Sequence, residues 1–277
     1  MGNVTQYCCI YRCGMSGVKT PVPKRDDSRM TNLTTKEWAA ALDIQYHNSD
    51  HATWKALYEK RLQKLVFVGS EAYLSGLQVI RLDSEQIPNL DRLSERLRQV
   101  CGWSITPVSG FLPSKVFFEC LSCKAFPCTT VIRKPSEFAY TPAPDVFHDV
   151  FGHIPMYWHC QFRDFVHQLG QIACNLRSEK ELELLAKVYW YTVEFGLVNE
   201  PRGIRVYGSG LISSEAETEM ALSPDCSRRS FDLREIAERD IAHDKLQRVL
   251  YVIDSFEQLA SISSELKRHS NGSTWIM

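Results

Sequence analysis

The stretch PDVFHDVFGHIPM sets His148 and His153 five residues apart among apolar neighbours. Neutral imidazole is a common metal ligand, so two histidines this close raise the question of a metal. On a regular α-helix, residues five apart point about 140° away from each other. The pair therefore cannot share one face of an ideal helix. A wider, π-like turn would bring both rings toward one point, and so would a helix end beside Gly152. The zinc-protease pattern H-E-x-x-H uses i, i+4 spacing with a Glu after the first His, which makes a zinc hydrolase the poorer reading. On the two histidines alone, a core role leads.

Glu194 changes that balance. It is the one charged residue in VYWYTVEFGLV, positions 188 to 198. A helix apolar nearly all round is buried. A buried carboxylate without a partner costs several kcal/mol or takes up a proton. Glu194 also falls near the helix C-terminus, where the dipole disfavours an anion. Something positive must face it. A Lys or Arg partner and a metal stand level on these grounds. Taken together, His148, His153 and Glu194 form the 2-His-1-carboxylate set that leaves open positions on non-heme Fe(II).

The elements that must carry these residues read as mainly helical. TKEWAAALDIQYHN, HATWKALYEKRLQKL, SEAYLSGLQVI and LDRLSERLRQVCG have helical apolar spacing, with Gly102 as a C-cap of the last. SITPVSGFLP reads as strand and turn, PSKVFFECLS as a short helix, and TTVIR, ending at Arg133, as a β-branched strand. A helix is expected near 161–176. Another starts at Ser178, with Glu181 completing a capping box, and runs to Gly196. GIRVYGSG and RVLYVI are strand candidates, and SFEQLASISSELK is a final helix with Ser255 as its cap.

Composition bounds the rest. The 277 residues are 44% hydrophobic with net charge −1, enough for one large core. No basic run suggests nucleic acid or an anionic membrane as partner, and no apolar run approaches a membrane span. No secretory signal pattern opens the chain, so a cytoplasmic location and reduced thiols are expected for the ten cysteines. Cys120 and Cys123 form a CxxC followed by Cys128, but the second pair of a zinc site is absent. Residues 1–34 are expected to be a mobile tail, 35–268 one domain, and 269–277 a short C-terminal tail.

PDVFHDVFGHIP, VYWYTVEFGL and YGSGLISS together resemble the pterin-dependent aromatic amino acid hydroxylases, above all their bacterial phenylalanine-hydroxylating branch. The likeness extends in consistent order from Trp54 through IPNLDRLSERL, CGW and PVSGFLP to VLYVIDSFEQL. It implies an α+β fold, mainly α, in a single catalytic domain with a few short strands around a central iron. It also implies Fe(II), a tetrahydropterin co-substrate and O2, with one oxygen atom passing to the pterin and the other to the substrate ring. His148, His153 and Glu194 would hold the iron. Arg133 would pair with the amino-acid carboxylate, a bidentate match that also orients it. Thr141 and Ser213 would seat the substrate's backbone atoms, and Pro144, Trp190 and Phe195 would form the slot for its ring. Toward the pterin, Phe117 would stack, Gly110 and Leu112 would lie close, and Ser114 and Tyr189 would add contacts. Asp149 would act on the pterin through water, its alternative being a solvated helix charge. Asp145 would orient a ligand from behind.

Two departures stand out. Animal members carry Glu at the position of Ala143 and His at that of Pro127. Their regulatory domain and tetramerisation helix have no counterpart here, so a monomer or weak dimer is expected. Trp190 favours phenylalanine as substrate, although a hydrophobic pocket separates similar rings weakly. Tryptophan hydroxylation, or broad specificity over both, stays open. More remote alternatives are the zinc hydrolase and a non-catalytic binding protein.

Overall fold

The computed structural model describes residues 44–110, 112–138, 144–241 and 245–270. The N-terminal tail and most of the helix expected over 35–48 fall outside them. What is described of that segment before Asn48, residues 44–47, is not helical. Helix α1 starts at Asn48 and runs to Val68, and the Asp50 carboxylate accepts the His47 N–H at 2.8 Å. Helix α2 (Glu71–Ile80) is capped by Ser70, whose hydroxyl oxygen accepts the Tyr73 N–H. Helix α3 (Leu90–Cys101) starts on Asn89 and ends on Gly102, whose φ of +76° supplies the left-handed turn expected of it.

Next comes a parallel βαβ unit: β1 (Ser104–Val108), α4 (Ser114–Ser122) and β2 (Ala125–Thr129). The strand lies in AFPCT rather than TTVIR, which corrects the sequence expectation. The backbone of 129–133 is engaged elsewhere. Thr129 N–H donates to Asp149, Arg133 N–H donates to Asp145, and the Val131 carbonyl accepts Val146 N–H. Val131 itself is 64% exposed, so its β-branched side chain faces outward. The segment braces the start of the histidine-bearing helix instead of extending the sheet.

That helix, Phe147–His153, is a π-helix, as the five-residue spacing allowed. A 3₁₀ turn (Ile154–Trp158) and α5 (Cys160–Asn175) follow. Helix α6 (Glu179–Tyr189) opens on the Ser178–Glu181 capping box. It does not continue to Gly196 as a regular helix. Trp190–Glu194 form a second π turn, closed by Phe195 N–H to the Trp190 carbonyl at 2.9 Å. A four-stranded sheet then forms from β3 (Leu197–Glu200), β4 (Gly203–Val206), β5 (Ser227–Ser230) and β6 (Val249–Ile253), in the order β4-β3-β6-β5. Only the β3–β4 pair is antiparallel. Between these strands lie α7 (Ser209–Ser213), α8 (Glu215–Leu222) and α9 (Leu233–Glu238). Helix α10 (Gln258–Ser270) begins three residues beyond the cap expected at Ser255. One buried cluster spans the described residues from Trp54 to Leu266 and encloses both π turns. Helices thus predominate, with a few short strands, around one large core. Among the described residues no helix is long and apolar enough to cross a membrane.

Candidate active site

One side of the π-helix is fixed by aromatic packing. Phe147 and Phe151 stack at 4.7 Å. Trp54 meets Phe147 edge-on at 5.3 Å, Tyr58 meets Phe151 at 5.0 Å, and the Tyr73 hydroxyl donates to the Phe151 carbonyl at 3.0 Å. With that side docked on α1 and α2, the widened turn presents both histidines to the interior. Their Nε2 atoms lie 3.2 Å apart. The Glu194 carboxylate comes from the end of the second π turn, with Oε1 3.2 Å from His153 Nε2 and Oε2 3.5 Å from His148 Nε2. All three side chains are buried.

Burial pulls His148 down to about 4 against the opposing pull of Glu194, so its imidazole is neutral at neutral pH. Its Nδ1 faces Ser213 Oγ at 2.8 Å. With the proton on Nδ1 there, Nε2 offers a lone pair to the centre. Two imidazole nitrogens and a carboxylate gathered this closely away from water require a proton or a cation among them. Two imidazole nitrogens with one carboxylate suit Fe(II), so the residues fit the expected metal.

Asp149 is buried, which removes its alternative as a solvated helix charge. Its Oδ2 accepts the Thr129 N–H at 2.6 Å, and burial pushes its carboxyl up to about 7. With both histidines it forms a group whose ligand atoms lie within 4.8 Å of one another. The Glu194 oxygens lie 3.5 and 3.2 Å from the two Nε2 atoms, whereas Asp149 Oδ2 is engaged by the Thr129 N–H, which favours Glu194 as the third ligand. Asp145 touches His148 through the backbone rather than the ring: its Oδ1 accepts the His148 N–H at 2.9 Å. The same carboxylate holds Arg133 through Nε at 2.9 Å and Nη2 at 2.7 Å. Arg133 is thus a buried cation already paired, lying over the Phe147 ring, with Nη1 3.4 Å from the Ser213 carbonyl.

The other expected residues divide into two groups. Trp190 and Phe195 lie together, their rings 4.5 Å apart, and Pro144 is half-buried just ahead of the π-helix. Thr141 and Ala143 lie outside the described residues. Among the residues expected to face a pterin, Phe117 meets Tyr189 edge-on at 5.2 Å. Leu112 is buried with Val108 and Cys120, and Ser114 begins α4. Gly110 sits in the bend after β1, and Pro127 lies within β2. Tyr189 directly precedes the turn that carries Glu194, which joins the two groups.

Three supports were not foreseen from sequence. Ser209 Oγ donates to Glu194 Oε2 at 2.7 Å. Arg61 donates to the carbonyls of Ile212 at 2.8 Å and Leu211 at 3.1 Å. Gln247 Oε1 accepts the Trp190 indole N–H at 3.4 Å. Of these, only Ser209 carried a signal, as a hydroxyl between two glycines in YGSGLISS; the other two depend on contacts distant in sequence.

Residues 23–271 match the family model of the biopterin-dependent aromatic amino acid hydroxylases. The phenylalanine-4-hydroxylase of Ralstonia nicotianae is 37% identical over 259 residues, covering 88% of this chain and 83% of that protein. That of Chromobacterium violaceum is 38% identical over 216 residues, covering 78% and 73%. Among solved structures, the C. violaceum enzyme with bound iron(III) and 7,8-dihydrobiopterin superposes with a TM-score of 0.80 at 35% identity, covering 92% of this chain and 96% of that one.

Proposed function

The chain belongs to the biopterin-dependent aromatic amino acid hydroxylases, and on that premise we propose that it converts phenylalanine to tyrosine at one iron held by His148, His153 and Glu194. The observation that carries this is the convergence of two Nε2 atoms and a carboxylate within 3.5 Å. The names of its relatives and the indole of Trp190 support phenylalanine as the substrate. In this family Fe(II) and a tetrahydropterin supply the reduction of dioxygen, one atom going to the pterin and the other to the ring.

The protein's residues place the reactants. Asp145 holds the Nε and Nη2 of Arg133, and Nη1, which donates one proton to the Ser213 carbonyl, has its second proton for the amino-acid carboxylate. Trp190, Phe195 and Pro144 wall the ring slot, and Ser213 keeps His148 turned to the centre. Phe117 and Tyr189 give the pterin an aromatic wall, with Gly110, Leu112 and Ser114 along the loop beside it and Asp149 behind. Burial of the ligands keeps bulk water from the centre. Seven unpaired cysteines among the described residues support a reducing, cytoplasmic setting. Exposure of few large apolar side chains there, among them Phe67 and Trp158, supports a monomer or weak dimer.

The test is anaerobic reconstitution with Fe(II), followed by tetrahydropterin, O2 and each aromatic amino acid in turn. Tyrosine is expected from phenylalanine only when iron and pterin are both present, and Glu194→Gln is expected to lose bound iron. Full turnover by His148→Ala, or preferred hydroxylation of tryptophan, would count against the assignment.

A further inference from the structure

Glu194 is held by more than the π turn that it ends. Helix α7 is pressed between the two ligand-bearing turns. A Cβ added at Gly208 would lie 2.4 Å from the Glu194 carbonyl oxygen, one at Gly210 2.8 Å from Phe195 Cζ, and one at Gly152 3.1 Å from the Ser209 carbonyl oxygen. Gly208 has no room for a side chain against the Glu194 backbone, Gly210 packs closely on the Phe195 ring, and Gly152 approaches the Ser209 backbone at the limit of ordinary contact. From the far end, Arg61 pins the Leu211 and Ile212 carbonyls. The helix then offers a hydroxyl at each end. Ser213 Oγ meets His148 Nδ1 at 2.8 Å, and Ser209 Oγ meets Glu194 Oε2 at 2.7 Å, with the Val193 carbonyl at 3.4 Å. One short rigid element thereby sets a nitrogen ligand and an oxygen ligand at once.

The two Glu194 oxygens are not equivalent. Oε1 lies 3.2 Å from His153 Nε2, while Oε2 lies 3.5 Å from His148 Nε2 and accepts the Ser209 hydroxyl. A short hydroxyl-to-carboxylate bond is of the stronger, charge-assisted kind. It occupies a lone pair of Oε2 and fixes rotation about the Cγ–Cδ bond. We propose that Ser209 is a positioning residue that holds Glu194 to attachment through Oε1 alone, so that the second oxygen does not close a position needed by the reactants. This rests on the metal site proposed above.

Cobalt(II) tests it, because its visible bands report coordination number. Ser209→Ala removes one oxygen and keeps the size of the side chain. Metal-free Ser209→Ala is expected to unfold as cooperatively as wild type with a Tm lower by a few degrees, the loss of one buried hydrogen bond, showing that the fold is intact. Loaded with cobalt(II), the variant is expected to lose intensity in its visible bands by about twofold or more, as the freed oxygen raises the coordination number. Cobalt spectra identical in wild type and Ser209→Ala overturn the role of Ser209. A wild-type chain that takes up no cobalt overturns the metal site itself, and the role of Ser209 with it.

Discussion

Three buried carboxylates show how surroundings decide what an acid does. Asp145 accepts four N–H donors, three from Arg133 and one from His148, so its buried oxygens are fully hydrogen-bonded inside the core. Glu194 has two imidazoles and a serine hydroxyl, a set that fits a cation. Glu217, only 4% exposed, accepts the Gln247 N–H at 3.1 Å, and burial pushes its carboxyl up to about 7. Because its folded-state pKa lies above the unfolded one, the folded chain binds a proton that the unfolded chain has released between about pH 4.5 and 7. Stability from this group is full below that window and is lost as pH rises through it, by on the order of 3 kcal/mol. Urea midpoints between pH 5 and 8 should therefore fall more steeply for wild type than for Glu217→Gln, whose amide oxygen can still accept the Gln247 N–H. Parallel curves would show that Glu217 is ionised throughout. Gln247 also accepts the Trp190 indole, so this carboxylate braces one wall of the proposed ring slot.

The elements carry the site through two π turns, and they were not equally legible. The turn at Phe147–His153 could be read because two ligands five residues apart are incompatible with a regular helix. The turn at Trp190–Glu194 holds one ligand, and a single residue sets no phase, so the sequence showed only a buried helix with a misplaced charge. Most helices and the final strand were legible from periodicity and caps, and the two histidines and the carboxylate that the structure brings together were singled out by residue type, burial and the family likeness. TTVIR was misread because β-branched composition does not reveal that its backbone is bonded to Asp149 and Asp145. Close approach between elements was likewise invisible. A Cβ at Gly76 would lie 1.9 Å from the Pro155 carbonyl oxygen, where α2 meets the turn after the π-helix, whereas one at Gly102 would meet nothing. Gly76→Ala must push two backbones apart and should cost about 3 kcal/mol or more. Gly102→Ala carries only the strain of its positive φ, about 1 kcal/mol. Denaturant unfolding of the two variants checks this order, and equal costs would mean that α2 can shift freely.

At the scale of the whole molecule, the proposed metal would join parts of the chain that the core alone holds in register. His148 and His153 sit on a helix docked against α1 and α2, Glu194 follows α6, and α7 reaches both while tied to α1 through Arg61. A ligand bound only by the folded state stabilises the entire fold by mass action, by about 2.7 kcal/mol at a hundredfold excess over its dissociation constant. For a chain of this size each kcal/mol raises Tm by roughly 2–4 °C, so metal should add roughly 5–10 °C. Glu194→Gln should behave in the opposite sense in the two states. Without metal it removes a buried charge from a crowded acceptor cluster, and its Tm should match or exceed that of wild type. With metal it lacks the anionic ligand, and most of the rise should vanish. Thermal melts of both chains, in chelator and in excess cobalt(II) or anaerobic Fe(II), should therefore cross in rank between the two conditions. A metal-induced rise of the same size in both chains would show that the metal stabilises the fold from somewhere other than the centre formed by His148, His153 and Glu194.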